Sequence, residues 1–358
     1  MKTRTFWSLS MTAAIVLGAG CSNTQGLPPG AANSAGRFNG HATTVTIDQF
    51  RDLPHSSFYF PVALTVGPDK ALWVADDIDQ DAGHSAIARI TTAGRRTKTF
   101  YYPNSASPAF SDIVAGPDGA FWITDLGDGQ ILRMTTDGKF TAFPLNRAAP
   151  QGIVSGPDRA LWFTENYFGG VAVVRMKTNG AMKAFSHGIS PNTGLEDIAV
   201  GSDGALWFTE PDGNRIGRIT TRGRVSEFSS GISPGSKPYS IAPGPDGALW
   251  FTEIAGGRIG RISTAGSITE YSQGITPTEQ PQDIGAGPDG ALWFTEYETH
   301  AGYFVRDSKI GRITTAGVIT EYSGIRHKSA PQGIVAGPDG NVWFVEEGAN
   351  RVGRVNLR

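Results

Sequence analysis

Seven acidic side chains recur at one place in a repeated phrase: Asp76, Asp125, Glu165, Glu210, Glu253, Glu296 and Glu346 each close a short Trp-bearing run. Carboxylates gathered at one rim can bind a divalent cation. The plainer reading is pairing with a nearby base, and Arg215, Arg258, Lys309 and Arg351 follow four of them closely. Glu296 is the candidate for more, as a metal ligand, because a long insertion follows it. That insertion, from Tyr297 to Asp307, mixes Tyr297, Tyr303, Phe304 and His300 with charges, a composition suited to holding a ligand. Histidine can act as a base near neutral pH. His300 and His327 fall on the variable side of the repeat, and with Glu296 they make the candidate catalytic set. A second acidic run, Asp77 to His84, begins like a calcium loop. Ala82 displaces the expected glycine and Ala88 stands where the closing glutamate would be, so it reads as a solvated loop. No serine or cysteine nucleophile motif is present.

These residues need a frame, and the repeat supplies it. The phrase Gly-Pro-Asp-Gly-Ala-Leu-Trp-Phe-Thr-Glu and its variants begin at Gly67, Gly116, Gly156, Gly201, Gly244, Gly287 and Gly337, at spacings of 49, 40, 45, 43, 43 and 50 residues. A period of about 40–50 with a tight turn and a Trp-bearing strand is that of a β-propeller. The expected fold is all-β: seven blades of four strands over residues 43–358. In blade five the strands are expected at Tyr239–Ala242, Ala248–Glu253, Arg258–Ser263 and Ser267–Tyr271. Alternation places Trp250 and Thr252 on one face, Phe251 and Glu253 on the other. An arginine recurs in each third strand, and hairpin register sets Arg261 opposite Trp250, a cross-strand stack repeated round the ring. Such symmetric residues read as structural. The last blade lacks an outer strand, and Thr44–Phe50 is expected to supply it, closing the ring.

Symmetry breaks where function is expected. From the second-strand acid to the third-strand arginine the gap is 8 residues in blades two, four, five and seven, but 13, 10 and 16 in blades one, three and six. Variable loops on a rigid frame are the usual place for ligands. The innermost-strand residues Gln151, Tyr239, Gln282 and Gln332, with Tyr297 and Tyr303 of the insertion, are the candidate ligand-binding set.

Residues 1–20 read as an export signal: Lys2 and Arg4, then an apolar run around Met11–Leu17, then Gly18, Ala19 and Gly20. The only cysteine, Cys21, follows at once, like the acylated cysteine of a bacterial lipoprotein, and 22–42 reads as a flexible tether. The chain is therefore expected in the cell envelope, held to a membrane by a lipid at Cys21, or secreted if Cys21 is not acylated. A net charge of −2 with no basic stripe excludes an electrostatic nucleic-acid surface. A monomer is expected.

The blade phrase, with Arg-Ile-Gly-Arg-Ile-Thr-Thr-Ala-Gly and Ile-Thr-Glu-Tyr after it, resembles the streptogramin B (virginiamycin B) lyases over roughly residues 44–358. The resemblance implies Mg²⁺-assisted elimination that opens a cyclic depsipeptide at its ester. It implies a histidine base at the start of the innermost strand of blade seven, a second in blade six, and a metal-linked glutamate. Those places hold Gln332, Gln282 and Glu296 here, and the family's tyrosine near blade one falls at about Val62. Glutamine cannot serve as a base. The sequence therefore favours a propeller binding a small molecule, glycan or peptide at the channel mouth. A lyase with a relocated base is the alternative. A metal-dependent lactonase is a weaker reading, as seven blades and the lack of repeated mouth-side asparagines argue against it.

Overall fold

The computed structural model describes residues 45–50, 60–79, 84–103, 109–146, 148–300 and 303–357; within 77–84 and 299–307 it describes the backbone alone. The expected signal, Cys21 and the tether lie outside the described residues. No helix among the described residues is long and apolar enough to cross a membrane.

The strands, in chain order, are as follows. β1 (Thr46–Phe50) precedes blade one, which holds β2 (Phe60–Val66), β3 (Leu72–Asp79), β4 (His84–Ile90) and β5 (Arg96–Tyr101). Blade two holds β6 (Phe110–Ala115), β7 (Phe121–Asp125), β8 (Gln130–Met134) and β9 (Phe140–Pro144). Blade three holds β10 (Ala148–Ser155), β11 (Leu161–Tyr167), β12 (Gly170–Met176) and β13 (Met182–Phe185). Blade four holds β14 (Ile198–Val200), β15 (Leu206–Glu210), β16 (Arg215–Ile219) and β17 (Val225–Phe228). Blade five holds β18 (Pro238–Pro243), β19 (Leu249–Glu253), β20 (Arg258–Ile262) and β21 (Ile268–Tyr271). Blade six holds β22 (Glu279–Ala286), β23 (Leu292–His300), β24 (Tyr303–Ile313) and β25 (Ile319–Tyr322). Blade seven holds β26 (Pro331–Ala336), β27 (Val342–Glu346) and β28 (Arg351–Asn356), and β1 completes it in the order β1-β28-β27-β26. The ring therefore closes as expected, leaving no open edge there.

Blades one to six are each built round one clasp whose turn aspartate the sequence did not disclose; in blade seven Asp339 holds Trp343, while Arg354 turns to Asp48 of β1 at 2.6 Å. In blade five, Trp250 lies opposite Arg261, whose guanidinium sits 5.8 Å from the indole. The turn residue Asp246 joins them: one carboxylate oxygen accepts the indole N–H at 3.1 Å, the other accepts from Arg261 Nε at 2.7 Å. Burial opposes the Asp246 charge, but the bonds from Trp250 and Arg261 outweigh it and hold its pKa below the ordinary value. The Pro-Asp-Gly turn is thus fixed from both sides. Trp250 also stacks on Tyr271 of the outer strand at 5.5 Å, as Trp343 stacks on Phe50 of β1 at the same spacing. Gly260 is needed below this: a Cβ there would meet the Phe251 ring at 2.1 Å.

The long insertion of blade six, expected as a loop, prolongs its hairpin instead. β23 and β24 run to His300 and Tyr303, which pair across the tip. In blade one, likewise, β3 and β4 pair out to Asp79 and His84. Tyr and β-branched residues in the insertion favour extended pairing over an irregular loop.

Candidate functional site

The innermost strands do not run straight to the channel. In blades one, two, three, five, six and seven the pairing register slips near the mouth, between Pro281 and Ile284 in blade six for example. A bulge re-aims the residues it releases. Here it turns a pair of residues from six blades towards the axis; in blade four, which has no slip, Glu196 and Asp197 reach the same place just ahead of β14, and the seven pairs line a cavity of about 140 Å³. One ring of lining residues is Val62, Ser111, Gln151, Glu196, Tyr239, Gln282 and Gln332; the other is Ala63, Asp112, Gly152, Asp197, Ser240, Asp283 and Gly333.

The threonine of the repeated phrase holds this arrangement. Thr252 Oγ1 accepts from the Ser240 N–H at 3.0 Å and donates to the Gln282 carbonyl of the next blade at 2.8 Å. Thr209 does the same between Asp197 and Tyr239. The three aspartates tie blades in pairs. Asp112 accepts the Ile153 N–H, Asp197 the Ile241 N–H and Asp283 the Ile334 N–H, at 2.9, 2.8 and 2.7 Å. Burial, then mutual repulsion, raises Asp112 well above its ordinary pKa and Asp197 to about 7; burial raises Asp283. The sequence reading missed these aspartates, although each stands directly before the isoleucine of an innermost strand.

In the ring that holds Gln151, Gln282 and Gln332, the other polar side chains are the Ser111 hydroxyl, the Tyr239 phenol and the Glu196 carboxyl. Gln332 donates to Glu347 at 2.8 Å and to the Tyr297 hydroxyl at 3.3 Å; Gln282 donates to the Gln280 carbonyl at 3.0 Å. Glu196 is raised to about 7 by burial, against a hydrogen bond from Tyr239 that lowers it. The Glu196 charge in turn raises Tyr239 well above its usual range, so the phenol stays protonated and donates. Thus Gln151, Tyr239, Gln282 and Gln332 share one wall, with Tyr297 bonded to it.

Glu296 and His327 are elsewhere. His327 is exposed in the connection before β26, and the His300 and Tyr303 side chains lie outside the described residues. Glu296 is wholly buried opposite Lys309. The other acids that end the second strands are wholly buried too, except Glu165, which is half-buried. Two of the bases read as their partners turn to the outer strand, Arg215 bonding Glu227 at 3.0 Å and Lys309 bonding Glu321 at 2.8 Å, whereas Arg258 stays within 3.9 Å of Glu253 as expected. Both carboxylate oxygens of Glu210, Glu253 and Glu296 are buried without a hydrogen-bond donor. Burial raises Glu210 and Glu253 to about 8, and Glu296 well above its ordinary value. As neutral acids they can donate to Glu227, Glu270 and Glu321 beside them, which resolves the orphaned oxygens. The Lys309 ammonium, 3.5 Å from Glu279 and on the residue opposite Glu296, already places a cation where Mg²⁺ would approach, so the site does not fit that ion. Among the described residues no group of three or more His, Cys, Asp or Glu is arranged to hold a metal.

The family model described as virginiamycin B lyase matches residues 45–299 and 146–358, together spanning every blade. The chain belongs to the virginiamycin B lyase family. A solved streptogramin B lyase is similar at 32% identity and a TM-score of 0.75, covering 88% of this chain and 98% of that one. A catalytically inactive histidine-to-alanine variant of virginiamycin B lyase from Staphylococcus aureus, solved with quinupristin, is similar at 31% identity and a TM-score of 0.76, covering 88% and 100%. A gluconolactonase from Xanthomonas campestris, at 12% identity and a TM-score of 0.52 over 87% of this chain and 100% of its own, shares the fold alone. No curated protein matches.

Proposed function

We propose that this member of the virginiamycin B lyase family binds a polar, amide-bearing ligand, such as a cyclic peptide, at the channel mouth, without the histidine-based elimination of its relatives. The ring of Gln151, Gln282 and Gln332 with Tyr239 carries this reading. Side-chain amides offer a donor and an acceptor each, which suits peptide or glycan groups and does not suit proton abstraction. A cavity of about 140 Å³ admits one functional group of a larger ligand, the rest lying over the mouth. The S. aureus relative supports the separation of binding from chemistry, since its histidine-to-alanine variant is inactive and was solved with quinupristin.

The test is to incubate the purified protein with quinupristin and Mg²⁺, following binding by calorimetry and the ring by mass spectrometry. Binding of an intact ring, weakened at least tenfold by Gln332→Ala or Gln282→Ala, is expected. Linearisation of the ring would overturn the reading.

One observation favours a lyase with a relocated base: Glu196 lies on the cavity wall with its pKa near 7. Its carboxylate would take a proton from the carbon two bonds from the ester oxygen; the C–H pair would form the double bond as the C–O bond breaks and a carboxylate leaves. Linearisation lost in Glu196→Gln, with binding kept, would select it.

The proposed location is the cell envelope, with Cys21 acylated. Metabolic labelling with palmitate, lost in Cys21→Ser, tests this.

A further inference from the structure

Blade three departs from blades four to seven at one place; blade two sets Gln130, and blade one Ala86, opposite its own acid. In blades four, five, six and seven the residue opposite the second-strand acid is a base: Arg215 faces Glu210, Arg258 faces Glu253, Lys309 faces Glu296 and Arg351 faces Glu346. In blade three Ala172 faces Glu165. One strand further out, Glu227, Glu270 and Glu321 lie opposite Gly217, Gly260 and Gly311, whereas blade three has Ala184 opposite Val174. Two charged side chains per blade are thus replaced by methyl groups, while the acid remains.

The space they would fill is open. A cavity of about 500 Å³ lies here, lined by Leu145, Ala148, Glu165, Tyr167, Ala172 and Ala184 among others. Burial alone raises the Glu165 carboxyl above its ordinary pKa, with no base beside it among the described residues to counter the effect. A carboxylate half-removed from water without a cation is costly, and a cation brought to it recovers that cost. Blades four to seven show which cation fits: an alkyl chain ending in a guanidinium or an ammonium.

We propose that the blade-three cavity is a binding site, separate from the channel mouth, for a small organic cation with an apolar arm, its guanidinium or ammonium on Glu165 and its arm along Leu145, Ala148 and Ala172. In blades four and six that position is filled by Arg215 and Lys309, which bond the outer-strand Glu227 and Glu321; in blade three the ligand has Glu165 as its one carboxylate. Tyr167, 38% exposed at the rim, offers a ring face to the cation.

The test titrates the purified protein at low salt with n-butylguanidine and n-butylamine, with n-butylurea as the neutral match. Saturable calorimetric binding of the cations, and none of the urea, is expected. Glu165→Gln should weaken it at least tenfold. Ala172→Arg should abolish it while folding normally, since it installs the side chain that neighbouring blades already carry there; an unaltered far-ultraviolet spectrum checks this. Gln332→Ala should leave it unchanged. Absence of binding at millimolar ligand, undiminished binding to Ala172→Arg, or loss in Gln332→Ala would each overturn the proposal. Arg147 stands in the sequence between the lining residues Asn146 and Ala148 but outside the described residues, and binding that appears only in Arg147→Ala would overturn the proposal too, by assigning the cavity to a residue of the protein itself.

Discussion

Asp283 on blade six accepts the backbone N–H of Ile334 on blade seven at 2.7 Å, next to the channel axis. Its other oxygen accepts the N–H of Ile284 on its own blade at 2.9 Å. The carboxylate is therefore a staple between blades. Asp283→Ala leaves the two backbone N–H donors without this acceptor, at about 1–3 kcal/mol each for buried groups, while the Ser240 hydroxyl, which also bonds Asp283, keeps Asp197 as an acceptor. A loss of about 2–4 kcal/mol on unfolding in urea is expected, and Asp283→Asn, which keeps one acceptor oxygen, should lose about half as much.

The Asp246 clasp is expected to behave as one unit. Asp246→Ala removes the acceptor of both Trp250 and Arg261 and should cost about 1–3 kcal/mol. In a double-mutant cycle Arg261→Ala should then add much less in the Asp246→Ala background than alone. Equal costs in both backgrounds would show that the two contacts are independent.

Ring closure should depend on a single ring. Phe50 stacks on Trp343 at 5.5 Å and lies 5.3 Å from the Arg354 guanidinium. Phe50→Ala should lower stability by about 2–3 kcal/mol, less than a fully buried phenylalanine because β1 is half-exposed. Thermal unfolding checks this, and an unchanged midpoint would mean that the ring holds without that strand.

The buried acids should make stability fall as pH rises. Burial raises Glu253 from 4.5 to about 8 in the fold. Between those values the native state keeps a proton that the unfolded chain has released, so each such group withdraws about 1.4 kcal/mol per pH unit. Its contribution is complete below the unfolded value and lost as pH passes the folded one. Glu253→Gln cannot ionise and should raise the melting temperature above pH 8 while changing it little near pH 5. A parallel shift at both pH values would mean that Glu253 does not titrate in this window.

At the mouth the sign is set by Glu196, raised to about 7 by burial. Its carboxylate accepts from a ligand only when ionised. Affinity for a ligand that donates there should rise between about pH 6 and about pH 8 and become flat in Glu196→Gln. Calorimetry across that range is the measurement.

Much of this molecule is legible along the chain. The period, the seven turns, the Trp–Arg register and the borrowed strand β1 depend on contacts within one hairpin or on matching one strand to its copies, and alternation with turn chemistry encodes both. The insertion after Glu296 shows the edge of such reasoning. Its length was plain, but whether it would pair or loop depended on Thr299 meeting Phe304 and His300 meeting Tyr303 across the tip.

What the chain could not disclose was what meets across blades. Asp112, Asp197 and Asp283 are far apart in sequence and share an axis only because the closed ring brings their blades together, with bulges turning Asp112 and Asp283 inward. Glu296 looked available as a ligand and is wholly buried, since burial is set by the neighbouring strands and not by its own. Ala172 and Ala184 read as unremarkable small residues. Only the closed ring, by setting them where other blades place Arg, Lys and Glu, turns their small size into a cavity with a carboxylate on its wall. Hydrogen-bond register is a property of adjacent strands and can be read from sequence; volume and electrostatics at a junction are sums over several distant segments, and those only the tertiary structure decides.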